Sequence, residues 1–240
     1  MVSNPALVLS HNCLELTKKC VDSLRKQDIP VSIFIADNGS KDETVSYSQE
    51  QGIPCLTLLT NTGFSYGINI GLKWVFELTG SDHCLIPNND TILPSYAYRE
   101  LLAYDKIFLS GRETNALSDL DLPFKQGELG GGPQFSMFLI RREALEKIGW
   151  LDESMTSWAS DCDYHLRAHR LGVELTSAPI PYYHERSSTI NNASPKEKRA
   201  MEMQADADRL RFFEKWGIHT WSPEYAAQFS DENFGIDLKK

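Results

Sequence analysis

The sequence predicts an α/β fold: a mostly parallel, Rossmann-like sheet flanked by helices, with a helical C-terminal appendage. Three observations predict it. Short apolar runs alternate with helix-period segments through the first half of the chain. The helical segments run into glycines, at Gly52, Gly80, Gly149 and Gly172. A long polar helical stretch, Pro195 to Trp216, follows a Pro-rich segment near the C-terminal end.

Ala6 to Ser10 reads as the first strand, and Leu14 to Gln27 as a helix with its apolar stripe at Leu14, Cys20, Val21 and Leu24. Val31 to Ala36 is a second strand, Lys41 to Gln51 a polar helix, and Cys55 to Thr60 a third strand. Phe64 to Leu78 is a helix and His83 to Ile86 a fourth strand. This β-α-β-α-β-α-β order calls for parallel strands joined by right-handed crossovers. Further on, Lys106 to Ser110 reads as a short strand and residues 112–132 as a polar, Gly-rich mobile loop. Ser136 to Ile140 is a strand, Arg141 to Ile148 and Cys162 to Leu171 are helices, and Val173 to Ser177 is a strand leading to Pro179, Pro181 and His184. Residues 185–195 read as a hinge before the terminal helix.

The chain has 240 residues, 41% apolar and 24% charged, a composition suited to a globular protein rather than a disordered one. No run approaches the roughly 18 apolar residues of a membrane span, and no secretory signal is visible. The net charge of −9 argues against a broad nucleic-acid-binding surface. Five cysteines at long, irregular spacings form no Cys-x-x-Cys pair; they read as reduced, buried hydrophobes, which points to the cytoplasm.

Ligands of open α/β sheets bind beyond the carboxyl ends of the strands. Two strands here run into acidic clusters at that edge, Ala36-Asp37-Asn38-Gly39-Ser40 and Pro87-Asn88-Asn89-Asp90-Thr91. A third cluster, Ser160-Asp161-Cys162-Asp163, opens a helix. Between the first two lies Asn61-Thr62-Gly63-Phe64-Ser65-Tyr66-Gly67, where glycines would let backbone amides approach a phosphate. Each cluster alone has a plain reading: turns and caps, Asp163 as an i,i+4 partner of Arg167, His184 as a structural histidine. His165 and His169 have metal-ligand spacing without an accompanying Glu, and read as surface. Taken together, the clusters converge on one edge. Asp90 as a hard oxygen ligand suits Mg²⁺ or Mn²⁺, and a histidine completes a Mn²⁺ site. No P-loop occurs, and no G-x-G-x-x-G follows the first strand.

In order and spacing these motifs resemble the family 2 glycosyltransferases of GT-A fold, from about Leu7 to His184. The resemblance also takes in Ser10-His11-Asn12 and the segment Gly131-Gly132-Pro133 to Glu153. It is nearest to the rhamnosyltransferase-like and galactofuranosyltransferase-like branch, where Asn-Asn-Asp-Thr is a familiar metal motif. It implies that Asp37 holds a nucleotide base, with Ser10 and Asn12 lining the same pocket. Asn61, Gly63 and Gly67 would shape the floor near ribose and diphosphate, with Asn89 in the same nucleotide site. Asp90 and His184 would hold the metal, and Asp161 would be the catalytic base. Gly131, Gly132, Pro133 and Asp163 would border the sugar and acceptor. Asn88 stands where the family has the first acid of Asp-x-Asp, and Ser160 where an acid often precedes the base.

The implied organisation is a GT-A domain over residues 1–184, its nucleotide-binding half about 1–92 and its acceptor half about 93–184, with a helical extension over 185–240. The implied activity is inverting transfer of a sugar from a nucleotide-diphosphate donor, UDP or dTDP by family habit, to a hydroxyl acceptor such as a glycan. Mn²⁺ or Mg²⁺ would assist. Two alternatives stay open: a degenerate module that binds a nucleotide sugar or glycan without turnover, and a nucleotidyltransferase, which the glycine-free loop after the first strand disfavours. A nucleic-acid acceptor is disfavoured by the acidic balance.

Overall fold

The computed structural model describes residues 4–114, 116–121, 133–185, 193–229 and 235–236. The chain begins β1 (Pro5–Ser10), α1 (Leu14–Arg25), β2 (Ser32–Asp37), α2 (Thr44–Glu50), β3 (Cys55–Thr57), α3 (Phe64–Thr79) and β4 (His83–Pro87). β5 (Thr91–Ile92), α4 (Ala97–Leu102), β6 (Phe108–Thr114) and a 3₁₀ turn (Leu117–Asp121) follow. Then come β7 (Met137–Arg141), α5 (Arg142–Lys147), α6 (Ser160–Arg170), β8 (Thr176–His184), α7 (Pro195–Trp216), α8 (Pro223–Ala227) and β9 (Gly235–Ile236).

The strands form one mixed, mostly parallel sheet in the order β3-β2-β1-β4-β7-β6-β8-β5, with β9 paired to β8. β1 lies parallel between β2 and β4. β7 runs antiparallel to both β4 and β6, and β5 antiparallel to β8. The apolar strand residues alternate between the two faces, as the period of 2 dictates. Ala6, Val8, Ile35 and Leu85 pack under α1 and α4 through Cys20, Val21, Leu24, Tyr98 and Leu101. Leu7, Phe34, Cys84 and Ile86 pack on the other face against Ile68, Leu72, Val75 and Phe76 of α3. Runs buried on both sides read as continuously apolar, which is why the parallel strands were legible in the sequence.

Three sequence expectations are corrected here. Residues 112–114 continue β6, and 117–121 form the 3₁₀ turn, so the expected loop 112–132 begins in a strand; residues 122–132 lie outside the described residues. β8 does not end before Pro179: it runs through both prolines to His184. The ladder with β6 breaks register between Ser110 and Arg112, and such an irregularity accommodates residues that lack an N–H. His165 is not a surface residue but 2% exposed, bonded through Nδ1 to the Tyr225 hydroxyl and through Nε2 to the Pro133 carbonyl oxygen, each at 2.8 Å. Desolvation in that position holds its pKa below the ordinary histidine value.

Candidate active site

The strand ends converge on the carboxyl edge of the sheet. At β1 and β2, Asn38 is the organiser. Its Oδ1 accepts from the Thr62 amide at 2.8 Å, and its Nδ2 donates to Asn61 Oδ1 at 3.1 Å and to the Gly63 carbonyl at 3.0 Å. Gly63 has φ +84°, and a Cβ there would lie 2.5 Å from the Thr156 carbonyl oxygen. Only glycine lets the start of α3 press this closely on residue 156. Gly67 packs in the same way against the Leu9 side chain, where a Cβ would meet Cδ1 at 2.7 Å. Gly67 therefore serves the close contact of α3 with the sheet beside Asn38.

Asp37, 1% exposed, receives the Ser40 amide on Oδ2 at 3.2 Å, while its Oδ1 is buried with no hydrogen-bond partner. A buried carboxylate oxygen with a spare lone pair is costly unless a donor completes it. Asn12 stands beside it in the left-handed region (φ 55°) and ties β1 to the β2 loop: its amide donates to Ser40 Oγ and its Oδ1 accepts from the Lys41 amide, both at 2.8 Å. Asn12, Lys41, Asp42 and Glu185 line a cavity of about 720 Å³. Ser10 is fully buried and bonds Thr17 Oγ1 at 2.9 Å, and Asn89 Nδ2 donates to the same Thr17 oxygen at 3.1 Å. These two residues brace the edge from beneath.

The short strand β5 brings the next group together. Thr91 pairs with His184 and Ile92 with Tyr183, and the Glu185 amide donates to the Asp90 carbonyl at 2.9 Å. Asp90 Oδ1 consequently lies 3.1 Å from His184 Nε2. From β6, whose Glu113 and Thr114 pair with Tyr182 and Tyr183, Glu113 Oε2 comes within 3.4 Å of His184 Nδ1. Burial would lower the His184 pKa, but the two carboxylates outweigh it and hold it up at about 9. Without a metal the imidazole is thus a cation between two acids.

The pair of Asp90 carboxylate and His184 Nε2 suits a hard or borderline divalent ion, and Glu113 on Nδ1 would orient the imidazole. His184 Nε2 and Asp90 Oδ1, 3.1 Å apart, are the two atoms that would hold such an ion. Among the described residues no three such side chains already stand at metal-binding geometry. The histidine would have to release its proton first.

Asp161 enters from α6. Residues 156–158 before it are held on both sides. On one side, Ser65 of α3 donates its hydroxyl to the Met155 carbonyl at 2.6 Å and its amide to the Thr156 carbonyl at 3.1 Å. On the other, the fully buried Asp208 carboxylate of α7 accepts the amides of Thr156, Ser157 and Trp158 at 3.1, 2.9 and 3.0 Å. Ala159 then takes φ 62°, an unusual value for a residue with a Cβ, and the helix starts. Asp161 and His184 line one cavity of about 820 Å³, together with Glu113, Asn88, Trp158 and Trp221. A volume of that size suits a nucleotide-sugar-sized ligand.

Asp163 is not part of this cavity, a correction to its expected acceptor role. It is fully buried on the other side of α6, where it binds Arg167 Nε at 2.8 Å, Lys215 Nζ at 2.7 Å and Trp216 Nε1 at 2.9 Å. Gly131 and Gly132 lie outside the described residues. Pro133 is buried, its carbonyl held by His165, and the next residues, Gln134 to Ser136, line the cavity. The sequence reading missed Glu113, hidden in a segment taken as loop. It also missed Asp208, Arg209 and Trp221, which no local motif marks.

Residues 6–105 match the family model described as Glycosyl transferase family 2. A comparison with curated proteins gave no match. Among solved structures, S. aureus TarS residues 1–349 in complex with UDP resembles the chain with a TM-score of 0.57 and 14% identity, over 94% of this chain and 68% of that one. The same TarS fragment with UDP-GlcNAc gives 0.57 and 14%, over 86% and 66%. Mannosyltransferase PcManGT from Pyrobaculum calidifontis, in complex with GDP-Man and Mn²⁺, gives 0.56 and 14%, over 94% and 77%. At such identities the likeness shows the fold, a GT-A-like α/β architecture with a C-terminal helix.

Proposed function

We propose that the chain is an inverting, metal-dependent family 2 glycosyltransferase that moves a sugar from a nucleotide-diphosphate donor to an acceptor hydroxyl. The observation that carries this reading is the single cavity into which Asp161, Glu113 and His184 all project, with Asp90 ion-paired to that histidine. Asp37, with its unpartnered buried Oδ1, would take a donor N–H of the nucleotide base or a ribose hydroxyl. A divalent cation held by Asp90 and His184 Nε2, with Glu113 orienting the imidazole from its Nδ1 side, would supply positive charge against the leaving diphosphate. The Asp161 carboxylate would accept the proton of the acceptor hydroxyl. That oxygen would bond to the anomeric carbon as the bond to the diphosphate oxygen breaks, inverting the centre in one displacement.

UDP, UDP-GlcNAc and GDP-Man in the complexes of the similar structures support a nucleoside-diphosphate donor, with UDP or dTDP favoured by the motif resemblance. The Asn-Asn-Asp-Thr form of residues 88–91 supports the rhamnosyltransferase-like or galactofuranosyltransferase-like branch. Five unbridged thiols support a reducing, cytoplasmic setting. The test is a thermal-shift screen of UDP, dTDP and GDP with their sugars, with and without Mn²⁺, followed by turnover measurements on the best donor. Asp161→Asn is expected to lower kcat by roughly 10²–10⁴-fold while nucleotide affinity stays near wild type. Near-normal turnover in that variant would remove Asp161 from the role of base, and a failure of every nucleotide to bind would end the transferase reading.

A further inference from the structure

Two tryptophans, Trp158 and Trp221, line the same cavity as Asp161. Trp158 is 40% and Trp221 53% exposed, large areas of indole to leave in water. Both sit on backbone that has been forced into position. Trp221 itself takes φ 56°, and Trp158 is followed by Ala159 at φ 62°. Such conformations are costly and persist only where the surroundings over-determine them. For Trp158 those surroundings are explicit: its amide is the last of three that Asp208 accepts. The chain therefore holds two partly exposed indoles on the cavity wall.

The company they keep narrows what they are for. Arg209 of α7 stacks on Trp158, with the guanidinium carbon 5.5 Å from the ring centroid. Gln134, Ser136, Ser157 and Thr220 supply amide and hydroxyl groups to the same walls. Indole faces set among hydroxyl, amide and guanidinium donors match a sugar ring, which has an apolar C–H face and a rim of hydroxyls. They do not match an alkyl chain, which would leave those polar groups unpaired. Trp158 and Arg209 also border a second cavity of about 380 Å³, which runs along α7 past Lys198 and Glu202. The two cavities meet at this stacked pair, so the surface continues past the length of one sugar.

We propose that Trp158, Trp221 and Arg209 form the acceptor subsite, and that the acceptor is a glycan chain of two or more sugars whose rings stack on the two indoles. This rests on the transferase reading, since it is Asp161 that makes this side of the cavity the acceptor side.

Titration of tryptophan fluorescence with mono-, di- and trisaccharides of glucose, N-acetylglucosamine, rhamnose and galactose tests it, with decanol as the alkyl probe and UDP plus Mn²⁺ as a parallel titration. At least one saccharide series is expected to shift the emission, with trisaccharide binding tighter than monosaccharide. Trp158→Ala and Trp221→Ala are each expected to weaken saccharide binding by about tenfold, with most of it restored in the Phe variants. Trp150→Ala, remote from the cavity and stacked on Lys73, is the control and should change nothing. Saccharide binding that survives loss of both tryptophans would overturn the subsite, as would binding of decanol in place of every saccharide. UDP binding with no saccharide response overturns the subsite alone. Failure of UDP and the other nucleotides overturns the transferase reading beneath it.

Discussion

Glu113 shows how much one side chain can alter a site. Asp90 and His184 could be read from the sequence because each sits in a short motif at a strand end. Glu113 could not, since Gly111-Arg112-Glu113-Thr114 has no apolar alternation to announce a strand. Only the parallel register of β6 with β8 carries it to the imidazole. With Asn88 in place of an acid, Glu113 supplies a second carboxylate on the opposite nitrogen of the imidazole from Asp90. Glu113→Gln keeps the shape and removes the charge. It is expected to raise the Mn²⁺ concentration needed for half-maximal donor binding by about 10–100-fold, the usual worth of a group that supports a metal ligand. Calorimetric titration of Mn²⁺ in the presence of UDP would measure it; an unchanged midpoint would show that Glu113 only balances the imidazole. Asp163 makes the opposite point. Its motif looked functional, yet the plain i,i+4 pairing with Arg167 is what the fold uses.

Among the elements, those with strong periodicity were legible and those set by partners were not. The parallel strands β1 to β4 and the helices α1 and α3 carry their own apolar patterns. β5 is two residues long and exists only because β8 pairs with it. The segment leading into α6 owes its conformation to Asp208, about fifty positions away in sequence, which no local reading detects. Asp208→Asn keeps one acceptor oxygen for three amides. The expected result is a folded protein with kcat lower by roughly tenfold to a hundredfold and a nearly unchanged nucleotide dissociation constant, because misplacing a catalytic group by about 1 Å costs that much. Steady-state kinetics beside nucleotide titration would show the split. Equal losses in both would mean that the carboxylate supports the whole edge.

For the molecule as a whole, the C-terminal segment is joined to the rest by a third apolar cluster, in which Phe212, Tyr225 and Phe229 pack on Met155, Cys162 and Leu166. Lys215 adds ion pairs to Asp152 at 2.6 Å and Asp163 at 2.7 Å. Burial would raise the Asp152 pKa, but its bonds to Lys215 and Ser154 prevail and hold it at about 2. A carboxylate depressed in this way stabilises the fold above its unfolded pKa of 3.8 and loses that contribution as pH falls toward 2. Urea unfolding at pH 5 and pH 2.5 should therefore show a larger acid loss for wild type than for Lys215→Met, by about 1 kcal/mol once solvent screening is allowed for. Equal losses would mean that the pair adds nothing to docking. The sequence announced a terminal helix, but its dependence on the domain comes from contacts between distant residues.

Asp208 and Arg209 are neighbours on one helix, yet one is turned into the protein and the other onto the cavity wall. On the proposed function, geometry for turnover and choice of acceptor would thereby be inherited together. Anyone wishing to exchange the helix must import its inner face with its outer one, for a graft that matched only the visible residues would leave the segment leading to Asp161 without its anchor.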